Sequence, residues 1–148
     1  MALRSRADRV AELVAVADAG DLEQAASKAA ELSALDPLDA EAHYLRGLFA
    51  LDAGHPAAAI QSFRAALFAD PRSPVAAFQL ARAHDIGGDA ASARRAYTQA
   101  LRVLAATEGD PDGGITPLER RDVSAACAAR LALLRGADAR ELQIQAAV

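Results

Sequence analysis

Tryptophan is absent from this sequence, and two Tyr with four Phe bring aromatic residues to only 4% of 148. The hydrophobic share of 53% must therefore be carried by alanine and leucine. Ala is the best helix former and a poor strand former, so this composition favours closely packed helices. A lone cysteine, Cys127, cannot close an internal disulfide, and no Cys/His spacing resembles a zinc site; a reducing cytoplasm is expected. No apolar run approaches the roughly 18 residues of a membrane span, which argues against membrane insertion. The positive, Ala-rich start MALRSRADRVAELVAVADAG is interrupted by Asp8, Glu12 and Asp18 and does not read as a signal peptide. With 16 Lys+Arg against 20 Asp+Glu, a net charge of -4 and arginines scattered among the acids, no nucleic-acid footprint is visible.

Catalytic constellations are also missing. His43 and His84 fall at different positions of their repeats and His55 begins a turn beside Pro56, and none has a convergent second and third group. They read as surface or half-buried histidines. Cys127 has no nearby His in the sequence and lies on an apolar helical face, which reads as core. The stretch Asp110-Pro111-Asp112-Gly113-Gly114 resembles the start of a calcium loop, but Arg121 stands where the closing Glu is required. Gly87-Gly88 is followed by Asp89 and no Lys, so there is no phosphate loop. The expectation is a non-enzyme with no cofactor, no metal and no small-molecule substrate.

What is present is a repeat. Asp36-Pro37 and Asp70-Pro71 lie 34 residues apart. That period divides the chain into segments at about 6–39, 40–73 and 74–107, and other equivalences appear without gaps: Gly20, Gly54 and Gly88; Ala25, Ala59 and Ala93; Ala29, Phe63 and Tyr97. Helices are expected near 6–19, 21–35, 39–53, 56–69, 74–86 and 90–106. The three glycines supply the left-handed residue that ends a first helix, Pro37 and Pro71 stop a second one, and Ser73 before Pro74 is an N-cap. Phe63 and Tyr97 are expected to fill the gap toward the next hairpin. The third segment has Ala105 in place of the terminal proline, so its second helix runs on. Residues 108–116 form a loop, Thr116-Pro117-Leu118-Glu119 is a capping box, and a closing helix spans 117–135, ended by Gly136; residues 136–148 are a tail or a short further helix.

The middle segment, AEAHYLRGLFALDAGHPAAAIQSFRAALFADPRS, resembles a tetratricopeptide repeat through Gly47, Gly54, Ala59, Phe63, Ala66 and Pro71. The third segment resembles it through Leu80, Ala81, Gly88, Ala93, Tyr97 and Ala100, and the first is degenerate. Arg46 departs from the pattern where Leu is usual, so its stem or Leu45 must cover that spot. The resemblance implies an all-α fold in one domain over 1–148: a right-handed superhelical stack of three helical hairpins plus a C-terminal helix. That helix either caps the stack or lies in its groove.

The resemblance also implies that first helices line a concave, partner-binding face. Its positions fall on Val10, Val14 and Ala17, on Glu41, Tyr44, Leu48, Leu51 and Asp52, and on Val75, Phe78, Arg82, Asp85 and Ile86. Tyr44, Leu48 and Phe78 would form an apolar strip with Arg82 and Asp85 at its edge, unless the two rings are core residues. Arg82 is the one cation available, too few for a clamp on a peptide's terminal carboxylate. The expected partner is another protein or peptide.

The stretch from HYLRGLFALDAG to ARRAYTQALRVL further resembles the C-terminal repeat region of some CheR-class chemoreceptor methyltransferases, through Ala-Leu-Phe-Ala-Asp-Pro and Arg94-Arg95-Ala-Tyr97. This implies an interaction appendage that meets a chemoreceptor or a methyltransferase domain, itself lacking the catalytic core. The alternative is a three-repeat chaperone that cradles an extended segment of a secreted client.

Overall fold

The structure is a computed structural model and describes residues 4–110 and 114–147. Among the described residues there are helices and no strands: α1 (Arg6–Asp18), α2 (Leu22–Leu35), α3 (Ala40–Asp52), α4 (Pro56–Ala69), α5 (Pro74–Ile86), α6 (Ala90–Ala106) and α7 (Pro117–Ala146). The chain divides into two compact units, Met1–Pro71 with α1 to α4 and Arg72–Val148 with α5 to α7. The period alone suggests a single unit. Residues 111–113 of the expected loop, and with them most of the calcium-like stretch, lie outside the described residues.

Local chemistry sets the helix ends. Asp21, Asp39, Ser73, Asp89 and Thr116 each accept the N3 backbone N–H of the helix that begins after them, and Thr116 and Glu119 complete the expected capping box. Pro56 opens α4 without a side-chain cap. The three hairpin turns share one geometry. Gly20, Gly54 and Gly88 have φ of +91°, +86° and +83°. The residue after each donates its N–H five residues back, Asp21 to Val16 at 3.2 Å, His55 to Ala50 at 2.8 Å and Asp89 to His84 at 3.1 Å. This is the closure that a left-handed residue after a helix permits. Asp36 and Asp70, each held extended by the proline after it, end α2 and α4 as expected.

In the first unit, Leu13, Ala25, Ala29, Leu32, Ala42 and Phe49 form one buried cluster with Val10 and Leu45 packed against it. Leu45 thus covers the spot beside Arg46, which is exposed. Phe63 is fully buried. Its ring lies against Gly47 of its own hairpin, an alternative to the gap expected for it toward the next one. Arg6 reaches from α1 to the buried N-cap Asp39 with two hydrogen bonds of 2.8 and 2.7 Å. Those bonds hold the Asp39 carboxyl below its ordinary pKa.

In the second unit, Cys127, Leu131 and Leu134 of α7 are buried with Tyr97, Ala100 and Leu104 of α6. α7 therefore closes the face of α6. At the position of Pro37 and Pro71 the third repeat has Ala105, still helical, and just beyond it Thr107 is buried and donates its hydroxyl to Val103 O at 2.7 Å. Arg120 of α7 then donates to Leu104 O at 2.6 Å and Thr107 O at 3.1 Å. The orphan carbonyls at the end of α6 are satisfied from the next helix.

The expected end of the closing helix at Gly136 and the tail at 136–148 are corrected by the structure: α7 continues to Ala146. Gly136 costs a helix roughly 1 kcal/mol relative to Ala, too little to stop one that meets no proline. An ion pair between Asp138 and Arg94 of α6 also ties the continuation down.

Candidate partner-binding surface

The first-helix positions separate into exposed, half-buried and interior groups within each unit. On α1, Val10 is half-buried against the core and Val14 is 38% exposed. On α3, Glu41 is exposed beside Arg6 at 3.3 Å, while Tyr44 and Leu48 are half-buried. Leu51, expected on the binding face, is buried at 7% and belongs to the interior, although it shares the i, i+3 face of the half-buried Leu48. The Tyr44 ring packs 6.0 Å from Phe63, tilted by 54°.

The same ring pair recurs in the second unit. Phe78 packs 6.5 Å from Tyr97 at 51°. Both pairs are one residue from a first helix and one from the second helix of the same hairpin, and Tyr and Phe exchange places between them. Tyr44 and Phe78 are thus partly core and partly surface.

The structure brings the remaining expected residues together around one pocket of about 280 Å³, lined by Phe78, Arg82, Asp85 and Ile86 of α5, by Tyr97 of α6 and by Ala126 and Arg130 of α7. Ile86 is 56% exposed. Arg130 donates two hydrogen bonds to Asp85, Nε to Oδ2 at 2.6 Å and Nη2 to Oδ1 at 2.8 Å. The Tyr97 hydroxyl donates a third, at 3.0 Å. The Arg130 bonds hold the Asp85 carboxyl below its usual range, with Tyr97 adding to the effect against the opposing cost of burial. The Tyr97 hydroxyl is shifted up, first by burial and then by the Asp85 carboxylate. Arg82 donates to the Gln79 side chain at 2.8 Å and stands 6.0 Å over the Phe78 ring.

Arg130 and Ala126 escape a reading based on first helices, because α7 falls outside the repeats. The signal lay in helical spacing. Cys127, Leu131 and Leu134 mark the buried stripe, and Ala126 and Arg130 flank it on the side of α5.

A larger hollow of about 780 Å³ lies between the end of α6 and the first turns of α7. Its Arg120 is committed to α6 carbonyls, and none of its residues comes from a first helix. The other candidate groups stay apart. Burial pushes the Cys127 thiol up to about 11, which suits core packing rather than a nucleophile. His43 Nε2 is 2.8 Å from Pro37 O. His84 is buried at 7%, deeper than the surface or half-buried place expected of it, because it sits on the inner side of α5 beside Ala83 and Ala81. Among the described residues no group of His, Cys, Asp and Glu could hold a metal, and no helix is long and apolar enough to cross a membrane.

Residues 11–74 match the family model of the tetratricopeptide repeat. No curated protein matches the sequence. Among solved structures, the type III secretion translocator chaperone SycD of Yersinia enterocolitica is 18% identical at a TM-score of 0.76, with 92% of this chain and 89% of that one covered. The same chaperone in complex with a peptide of the translocator YopD gives 18% and 0.76, with 88% and 92% covered. PcrH, in complex with the chaperone binding region of PopD, gives 22% and 0.74, with 93% and 99% covered; a further structure of PcrH is from Pseudomonas aeruginosa. At such identities the likeness is one of fold.

Proposed function

The chain is a tetratricopeptide repeat protein, and on that premise we propose that it is a chaperone holding an extended, apolar segment of a secreted client. The observation that carries this reading is the α5–α7 pocket, where Phe78 and Ile86 offer apolar surface beside Arg82 and Asp85. An apolar concavity with a few polar groups at its edge suits an extended peptide. Val10, Val14, Glu41, Tyr44 and Leu48 are the proposed contacts in the first unit. The structural neighbours add support, since SycD is seen with a peptide of the translocator YopD and PcrH with the chaperone binding region of PopD. The main reading from the sequence, an appendage of a CheR-class methyltransferase that meets a chemoreceptor, gains no comparable support; the chaperone that the sequence offered as the alternative does.

The test is co-expression with an aggregation-prone translocator segment. Wild-type chain should keep the client soluble, and a Tyr44→Ala, Phe78→Ala variant that retains its helical circular dichroism should not. Each ring is expected to contribute on the order of 2 kcal/mol as a central aromatic anchor. Client solubility that survives the double substitution overturns the proposal. Receptor methylation that depends on this chain, with no effect on client solubility, would select the appendage instead.

A further inference from the structure

The α5–α7 pocket carries a specificity that deepens, and rests on, the chaperone reading. At about 280 Å³ it suits one large side chain rather than a folded surface. Phe78, Ile86 and Ala126 supply apolar contact. Three charged groups border it, and two of them are engaged with each other. Asp85 has both carboxylate oxygens occupied by Arg130 and a further bond from Tyr97. Arg130 in turn uses Nε and Nη2 on Asp85.

Arg82 is different. Its hydrogen-bond partner is the neutral Gln79 amide, its guanidinium lies over the Phe78 ring, and among the described residues it makes no ion pair. Two guanidinium groups thus face one carboxylate, which leaves a single positive charge uncompensated at the rim of an apolar hollow. A half-buried guanidinium with free N–H groups attracts a carboxylate more strongly than one in open water and disfavours a second cation. The attraction has to be local, because the chain as a whole carries -4 and its overall field repels acidic segments.

We propose that this pocket selects client segments in which a large apolar side chain is next to an Asp or Glu. The apolar group packs on Phe78 and Ile86, and the side-chain carboxylate pairs with Arg82. Arg82 is then a specificity-determining residue, and Asp85 with Arg130 forms the fixed polar wall that holds α5 and α7 at the spacing the side chain needs.

The experiment is selection of a displayed library of short random peptides on the full chain, with each peptide fused through its C-terminus so that no free terminal carboxylate is present. Peptides pairing an apolar residue with a neighbouring Asp or Glu should be enriched. In solution, the N-acetylated and C-amidated form of a selected peptide should bind about 5- to 10-fold more tightly than its Asp→Asn or Glu→Gln counterpart, the scale of a partly exposed charge-assisted pair. That difference should vanish on the Arg82→Gln chain and return on Arg82→Lys. Apolar peptides selected without acidic neighbours overturn the Arg82 assignment and leave the chaperone reading standing. An acidic preference unchanged by Arg82→Gln does the same. A library that yields no binder overturns both. The acidic preference itself is read on the wild-type chain, and the Arg82 variants are compared only where their circular dichroism and binding of the Asp→Asn or Glu→Gln peptide match wild type.

Discussion

The ring of Phe63 occupies the space that a Cβ on Gly47 would need: Cε1, Cδ1 and Cζ lie 2.5, 2.7 and 2.8 Å from that position. The first and second helices of the middle hairpin can approach as they do because this one residue has no side chain. Phe63 is fully buried and has nowhere to move. Gly47→Ala should therefore destabilise the protein by about 1–3 kcal/mol through overpacking. Helix propensity alone predicts the opposite sign, a gain of roughly 1 kcal/mol. A denaturant midpoint that rises in Gly47→Ala would refute the close approach.

Gly136 provides the converse. It lies inside α7, and nothing stands within 4 Å of a Cβ added there. Gly136→Ala should stabilise the chain by about 0.5–1 kcal/mol, because the helix gains propensity and no neighbour must shift. Thermal melting checks it; no gain would mean that α7 is not helical through this position in solution.

Asp85 makes the second unit sensitive to acid. Its carboxyl is held below the ordinary range by Arg130 and Tyr97, so in the window beneath about pH 4 the unfolded chain binds the proton that the folded one resists. Its contribution is fully present above the ordinary carboxylate range and is lost as pH falls through the depressed folded value. Urea midpoints measured from neutral pH downward should fall less steeply for Asp85→Asn than for wild type. Asp39, held down by Arg6, gives the first unit an acid sensitivity of its own that this substitution leaves intact.

A fragment ending at Thr107 should aggregate or lose its cooperative melt. It exposes the face of α6 that Cys127, Leu131 and Leu134 cover, and it leaves the carbonyls of Leu104 and Thr107 without Arg120. In the full chain, Arg120→Ala removes only the second of these effects and should cost about 1–3 kcal/mol, the scale for buried acceptors stripped of a charged donor. A soluble 1–107 fragment with a sharp thermal transition would show that α7 is dispensable.

The helices that obey the 34-residue period were legible in the sequence, since their stops are written as Gly54 or Pro71 and a start as Ser73. α7 was legible at its beginning and not at its end. Gly136 carries the same letter as Gly54, yet it stays helical, because a glycine ends a helix only where the residues after it turn away, and here Asp138 finds Arg94 on another element. The candidate surface was legible where it depends on the repeat, as at Phe78, Arg82 and Asp85. Leu51 was misplaced because it shares the i, i+3 face of Leu48, and spacing alone does not tell how deep along that face a residue is covered. Helical spacing places Arg130 beside the buried stripe of α7, but its partnership with Asp85 joins residues far apart in sequence, and no local pattern encodes that pairing.

The exchange of Tyr and Phe between the two ring pairs has an evolutionary consequence. In the third repeat the phenol of Tyr97 sits on the second helix and finds Asp85; one period earlier, the corresponding positions are Phe63 and Leu51, both apolar. The hairpins share a scaffold but are no longer interchangeable cassettes. Copying the last one into the middle of the array would bring in a carboxylate whose counter-charge, Arg130, stays behind on α7. Growth of this array by duplication would have to proceed from the middle hairpin, or carry the closing helix along with the last.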